Sequence, residues 1–415
     1  MKILHINSTG YGGAYRAAFR IHESLQKNGV DSQFITLDQP DVLEPVVRKK
    51  NFIAQKFQWR LRHHFNIECD LRRRIYKQLS DLPVLNCEVA SIPVADSQFY
   101  NHPLVKNADI IHLHWVSHGF DYIDFFGNIG KPVVWTIHDM NPFMGLFHYE
   151  ADLARNKSVA GDFDKMILKL KKRILKKFGY PLIAVAPSSW MQQKIRAGRV
   201  FKNRKVDLIP YPIDSTRFSP QIKKAVREKL GMLPDAKVLI AVADYTSNYR
   251  KGFDLLIDAV KTLPEVKLLL IGKSEKTDDV PDNVQYSGMI EDDGILSDYY
   301  SAADATVIPS REDNLPNVML ESLACGTPVI SFKAGGMPDH IHNFKTGLLA
   351  EEMTSESLAA TIRLFFENQK TFEREGIRKY AKEHFDETLI GEEYKQVYRR
   401  CLAKTLQGFA ARNPS

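Results

Sequence analysis

At 415 residues the chain is longer than one ordinary hydrophobic core serves, so two domains are expected. Its hydrophobic content of 44% is that of a soluble globular protein, and no run of about 18 apolar residues is present, which excludes a helical membrane span. The four cysteines, Cys69, Cys87, Cys325 and Cys401, lack CxxC or Cys/His spacing, which argues against a zinc or disulfide framework; the formal charge of +7 comes with no recognisable RNA- or DNA-binding module, so nucleic acid is not an expected partner.

In chain order, Met1 and Lys2 lead directly into strand-like KILHIN with no signal-peptide pattern, so a cytoplasmic protein is expected. A helix-like run from Ala14 to Asn28 follows, then SQFITL, DIIHLHW, PVVWTIHD and PLIAVAPS. Strand and helix alternate in this way when a parallel sheet is flanked by helices. Pro210 and Pro212 form the compact proline turn that marks a linker. After it come VLIAVA, the helix GFDLLIDAVKTL, then VKLLLIG, VQYSG, ATVIPS, a further helix and PVISF, a second doubly wound α/β domain. The expected division is residues 1–209, residues 210–384 and a closing helical segment at about 385–415.

Open α/β sheets bind ligands beyond the carboxyl ends of their strands, and the chemistry-bearing motifs fall there. After the first strand, Gly10, Gly12 and Gly13 stand in a strand-to-helix turn where a backbone can approach a bulky ligand or simply turn tightly. A dinucleotide fingerprint would need a third glycine where Tyr15 stands, although Asp38 ends the next strand in a suitable place. His138 and Asp139 end PVVWTIHD; a histidine there is either a functional group or a structural hydrogen-bonder. His112, His114 and His148 nearby match no metal-ligand set, and the DFD at Asp162–Asp164 precedes a helix rather than ending a strand. Lys251 and Arg250 precede the helix at Gly252 and Phe253, where two cations can neutralise a diphosphate.

The most informative stretch is SREDNLPNVMLESLACGTP, residues 310–328. Asp313 and Glu321 stand eight residues apart across a loop that hands into a helix start. A helix N-terminus carries about half a positive charge and favours a diphosphate, while a carboxylate two turns further in can accept hydrogen bonds from the paired hydroxyls of a ribose. Excess charge concentrates in two segments. Residues 46–77 hold ten Lys and Arg, and residues 165–177 hold seven with no acid, with Met166, Ile167, Leu170, Ile174 and Phe178 along one side. Such a helix either contacts an anionic membrane or packs its stripe on its own domain.

The 310–328 stretch resembles the sugar-nucleotide signature of the family 4 retaining glycosyltransferases, an acid followed by seven residues and Glu. The resemblance covers essentially the whole chain. It implies a GT-B fold of two facing Rossmann-like domains with a cleft between them, the closing helix crossing back onto the first. It implies transfer of a sugar from a nucleotide diphosphate sugar, UDP-linked by preference, to a hydroxyl of a saccharide or lipid-linked saccharide in surface polysaccharide assembly. Neither cofactor nor metal is required, and the cell membrane's inner face is a possible peripheral location. By position His138, Arg250, Lys251 and Asp313 would be catalytic, and Gly12, Gly13, Gly272, Asn314, Leu315, Pro316 and Glu321 would bind the donor, with Gly335 and Gly336 in a turn beside them. The family often carries an Arg where this chain has Tyr245. A sugar-nucleotide epimerase on the same scaffold and a non-catalytic sugar-nucleotide-binding scaffold protein remain alternatives.

Overall fold

The computed structural model describes residues 1–38, 67–95, 99–273 and 280–412. The chain divides into two compact units, one of Met1–Ala186, Met191–Leu208 and Tyr394–Ser415, the other of Pro187–Trp190 and Ile209–Glu393. The first unit holds strands β1 (Lys2–Asn7), β2 (Asp31–Thr36), β3 (Ile110–Leu113), β4 (Val133–Thr136), β5 (Leu182–Ala186) and β6 (Lys205–Leu208). Its helices are α1 (Gly13–Lys27), α2 (Ile67–Ser80), α3 (Pro103–Asn107), α4 (Tyr122–Asn128), α5 (Glu150–Lys177) and, from Met191 on, α6 (Ser189–Ala197). The sheet is wholly parallel in the order β2-β1-β3-β4-β5-β6.

A parallel sheet covered on both faces calls for continuous apolar strands, and β3, β4 and β5 are buried at every position. The exceptions are polar and share one face. His5 pairs in register with His112, and His114 and Thr136 follow on the same side of their strands. This face is closed by the last helix, α13 (Glu387–Arg412), whose Tyr398 hydroxyl bonds His112 Nδ1 at 2.7 Å and whose Tyr394 hydroxyl lies 3.0 Å from Thr136 Oγ1.

The basic helix of the sequence is the second half of α5. Ile167, Leu170 and Phe178 are buried and Met166 and Ile174 half-buried, so the apolar stripe is spent on the unit's own core and only the basic face remains for an anionic surface. Lys171 departs from that face and is fully buried. Of the other basic segment, residues 46–66 lie outside the described residues. Residues 67–77 belong to α2, where Arg72 pairs with Asp121 and Asp124 at 3.1 and 3.0 Å.

The second unit holds β7 (Lys237–Tyr245), β8 (Val266–Lys273), β9 (Val284–Gly288), β10 (Ala305–Ile308), β11 (Val329–Phe332) and β12 (Gly347–Ala350), with α7 (Lys223–Lys229), α8 (Phe253–Lys261), α9 (Asp293–Ala302), α10 (Asn317–Ala324), α11 (Ser355–Glu367) and α12 (Arg374–Phe385). Its parallel sheet runs β12-β11-β10-β7-β8-β9. Winding reverses between β1 and β3 in the first sheet and between β7 and β10 in the second, and such reversals open the crevice beyond the strand ends where ligands bind.

At the opposite end of the second sheet lies a buried ionic hub. Asp304 accepts from Arg227 at 3.1 Å, from the Val238 amide at 2.7 Å, from Gln369 at 2.6 Å and from Lys223. Removing one partner of a buried pair leaves the other charge uncompensated. D304A is expected to destabilise the second unit by roughly 3–5 kcal/mol through the stranded Arg227, read as a lower urea midpoint. A loss under about 1 kcal/mol would show the hub to be dispensable.

Candidate active site

Three strand ends of the second unit converge. The end of β7 passes into a short turn, Tyr249–Lys251, before α8; the end of β10 passes through residues 309–316 into α10; the end of β11 leads to Gly335 and Gly336. Asp313 is the point of contact. Its Oδ2 lies 2.7 Å from Lys251 Nζ and 3.5 Å from Arg250, and Arg250 also donates to the Glu312 carbonyl at 3.0 Å. Burial raises the Asp313 pKa, but Lys251 and Arg250 outweigh it and hold the carboxyl below its ordinary value. Arg311 fastens the same two loops, with paired bonds to Asp254 at 2.8 and 2.6 Å and its guanidinium 4.0 Å over the Tyr249 ring.

The glycine turn packs directly on this loop. Gly336 N donates to the Asp313 carbonyl at 3.1 Å, and at Gly335, with φ of +56°, a Cβ would lie 1.6 Å from that oxygen. Any side chain there would push Asp313 away. Gly272 closes β8 with φ of +142°, and a Cβ on it would meet the Ala243 carbonyl at 1.9 Å, so its glycine is required by strand packing. The N-cap of α10 is Pro316, which supplies no side-chain cap of its own. Its amide end therefore lies just beyond Asp313, Asn314 and the buried Leu315. Asn314 Oδ1 accepts from Ser188 Oγ at 2.7 Å. Glu321 is buried in α10, with the Tyr300 hydroxyl donating to its Oε2 at 2.8 Å.

In the first unit, Gly12 takes φ of +88° as N-cap of α1 and Gly13 opens the helix. Asp38 accepts from Gly10 N at 2.9 Å, so the acid that a dinucleotide site would turn to a ribose instead ties the glycine turn. His138 is half-buried just past β4, its Nε2 3.1 Å from His114 Nδ1. Burial pushes its pKa down to about 4 against the opposing pull of Asp139, so the ring is neutral at physiological pH.

The glycosyl transferases group 1 family profile matches residues 222–384, and the glycosyltransferase family 4 profile matches residues 11–217. The chain belongs to the group 1, family 4 glycosyltransferases. It is similar to the D-inositol 3-phosphate glycosyltransferase of Segniliparus rotundus, at 29% identity over 38% of each chain. It is also similar to the lipopolysaccharide core biosynthesis glycosyltransferase LpsE of Rhizobium meliloti, at 31% identity over 40% of this chain and 48% of that one. The matches thus span less than half the length of these relatives. Among solved structures, sucrose-phosphate synthase of Thermosynechococcus elongatus superposes with a TM-score of 0.66 at 19% identity, over 97% of this chain and 100% of that one. Anabaena HepE, solved with UDP-glucose, gives 0.62 at 18% identity over 96% of this chain and 100% of that one. These structures share the GT-B fold, and two parallel six-stranded sheets with flanking helices are its content here.

One constellation in this family member escaped the sequence reading. Ser91 Oγ lies 2.6 Å from His148 Nε2, and His148 Nδ1 lies 2.6 Å from Asp139 Oδ2, the connectivity of a hydrolase triad. All three side chains are buried, and a nucleophile must reach its substrate, so the three act as a structural brace. Asp139 also accepts from Trp115 Nε1 at 2.6 Å and from Asn141 N at 2.9 Å. Lys171 completes the brace with bonds to the Asn141 carbonyl, Asn141 Oδ1 and the Gly145 carbonyl at 2.7, 2.8 and 2.7 Å. Asp164, from the discounted DFD, accepts from Leu146 N at 2.6 Å. The loop after His138 is thereby held from several sides.

Burial lowers the Lys171 pKa from 10.5 to about 7, against Asp139 and Asp164, which raise it. Between those values the unfolded chain carries the extra proton, so this residue's contribution to stability rises with pH from about 7 and is complete above about 10.5. Chemical denaturation at pH 7 and pH 9 should show wild type gaining stability relative to K171M at the higher pH. Parallel curves would show Lys171 charged throughout.

Proposed function

We propose that the chain is a retaining glycosyltransferase that moves a sugar from a nucleotide diphosphate sugar to a hydroxyl of a saccharide or lipid-linked saccharide. The observation that carries this is the Asp313 carboxylate held between Lys251 and Arg250 just ahead of the Pro316 start of α10. On this reading the diphosphate lies against the amide end of α10, with Lys251 and Arg250 taking up its charge. Glu321, oriented by Tyr300, accepts from the ribose hydroxyls. Asp313 holds sugar hydroxyls, and His138 is assigned, by the family resemblance, to the donor sugar. UDP is the base to try first, because HepE was solved with UDP and with UDP-glucose.

In the proposed reaction the bond between the anomeric carbon and the phosphate oxygen breaks, and the nucleoside diphosphate leaves with its electron pair. The acceptor oxygen attacks the same face and passes its proton to the departing phosphate oxygen. No protein nucleophile is called on; the protein orients the reactants and stabilises charge. No metal is invoked, since Lys251 and Arg250 supply the positive charge. Assembly of a surface polysaccharide is the setting suggested by the lipopolysaccharide relative.

A thermal-shift panel with UDP, GDP, TDP, ADP and NAD should single out one diphosphate, since a ligand at about 100 times its dissociation constant adds about 2.7 kcal/mol. With that donor, E321A and K251A should each cut turnover by roughly 10²-fold, and exhaustive chelation should leave it unchanged. Unchanged transfer in both variants would remove the assignment. Conversion of the sugar nucleotide without acceptor would mark an epimerase, and a shift without turnover a binding protein.

A further inference from the structure

Among the described residues, His5, His112 and His114 bring their ring nitrogens within 4.8 Å of one another, all buried. Three neutral imidazoles are a competent ligand set for a divalent transition metal. His112, however, spends both nitrogens on protein hydroxyls, Nδ1 on Tyr398 at 2.7 Å and Nε2 on Thr136 at 2.8 Å. What the other two form is a chain. His5 Nδ1 lies 2.8 Å from His114 Nε2, and His114 Nδ1 lies 3.1 Å from His138 Nε2.

We propose that His5 and His114 are positioning residues that lock His138 in one tautomer, with its proton on Nδ1 and Nε2 accepting from His114. A neutral imidazole has one N–H, so each link needs one donor and one lone pair, and the two links must point the same way. If the protons pointed toward His5, its Nε2 would carry the N–H. That nitrogen is buried and has no hydrogen-bond partner among the described residues. The His5 ring lies against the rings of Phe34 and His22, with centroids 6.1 and 5.6 Å apart, and His22 Nδ1 is engaged by Ser32 at 2.7 Å. An orphaned buried N–H is rare in folded proteins, so the register that leaves only a lone pair there is favoured. His5 then donates to His114, and His114 to His138. The chain is kept neutral because burial lowers the pKa of His5 and of His114 well below the ordinary value, with neighbouring histidines adding to the effect.

The test uses the full chain with 15N-labelled histidine and two-bond proton–nitrogen spectra. His138 should show one tautomer, Nδ1 protonated and Nε2 of pyridine type. H5F, which keeps the aromatic volume and removes the first donor, should turn His138 into a tautomer mixture. H5N, whose amide can donate in place of Nδ1, should restore the single form. H22F, which alters the same cluster outside the chain, should leave the His138 signals unchanged. A His138 spectrum of Nε2-protonated type, or one indifferent to H5F in a folded protein, would overturn the proposal. So would broadening of the His5 and His114 signals by stoichiometric Co²⁺, which would show their lone pairs to be metal ligands. The kinetic arm rests on the function proposed above: H5F should lower kcat for sugar transfer about 10-fold with little change in donor KM, and H5N should recover it. The spectra stand even if that function is wrong.

Discussion

The second unit is organised by one carboxylate. Asp313 sits between Lys251 and Arg250, and through it the loops after β7 and β10 are joined electrostatically, alongside the Arg311–Asp254 pair. Two cations just ahead of a helix start are unfavourable, because the helix end is itself positive. Asp313 offsets that cost while no ligand is bound and keeps both side chains in place. A diphosphate placed there would find positive groups already oriented, and little reorganisation would be needed at the moment of charge transfer.

The same loop shows how backbone packing and electrostatics are joined. The turn after β11 rests on the Asp313 and Asn314 carbonyls, and a Cβ at Gly335 or Gly336 would lie 1.6 or 2.0 Å from them. Ser188 reaches Asn314 from the segment Pro187–Trp190, which belongs to this unit although the chain enters it from β5. Asp339 adds a second tie, accepting from Ser189 N at 2.6 Å. The acidic loop is therefore fixed from several directions before any substrate arrives, as electrostatic preorganisation requires.

Much of this was legible because it is local. The spacing of Asp313 and Glu321, the apolar runs of the inner strands and the strand-end positions of His138 and Lys251 all lie within one element and its turn. What escaped is non-local or depends on depth. Ser91 and His148 are 57 residues apart, and His5 and His114 are 109 apart, so only the fold brings them together. Lys171 carries a basic side chain but stands four residues after Ile167 and three before Ile174, on the apolar stripe, and only the three acceptors of the Asn141–Gly145 loop, distant in sequence, show how its charge is met there. Edge strand β6, KVDL, is four residues long and fully buried nowhere, and so lacks the apolar run that marks the inner strands. The four residues of β12, GLLA, are too short for a period to show.

The two units also divide the chemistry by charge. The second presents two cations, Lys251 and Arg250, held by one carboxylate at its strand ends, whereas His138 of the first is neutral, its pKa held at about 4 by burial. On the proposed reading this division has a reason. As the bond to the phosphate oxygen breaks, negative charge gathers on the leaving diphosphate and positive charge on the anomeric carbon. Cations help at the first and would repel the second. By the family resemblance alone His138 is assigned to the sugar, and an imidazolium in that role would raise the barrier, while a neutral ring of fixed tautomer can hydrogen-bond without that penalty. Burying a row of histidines under Tyr394 and Tyr398 suppresses their charge, and linking them nitrogen to nitrogen sets the direction of what polarity remains.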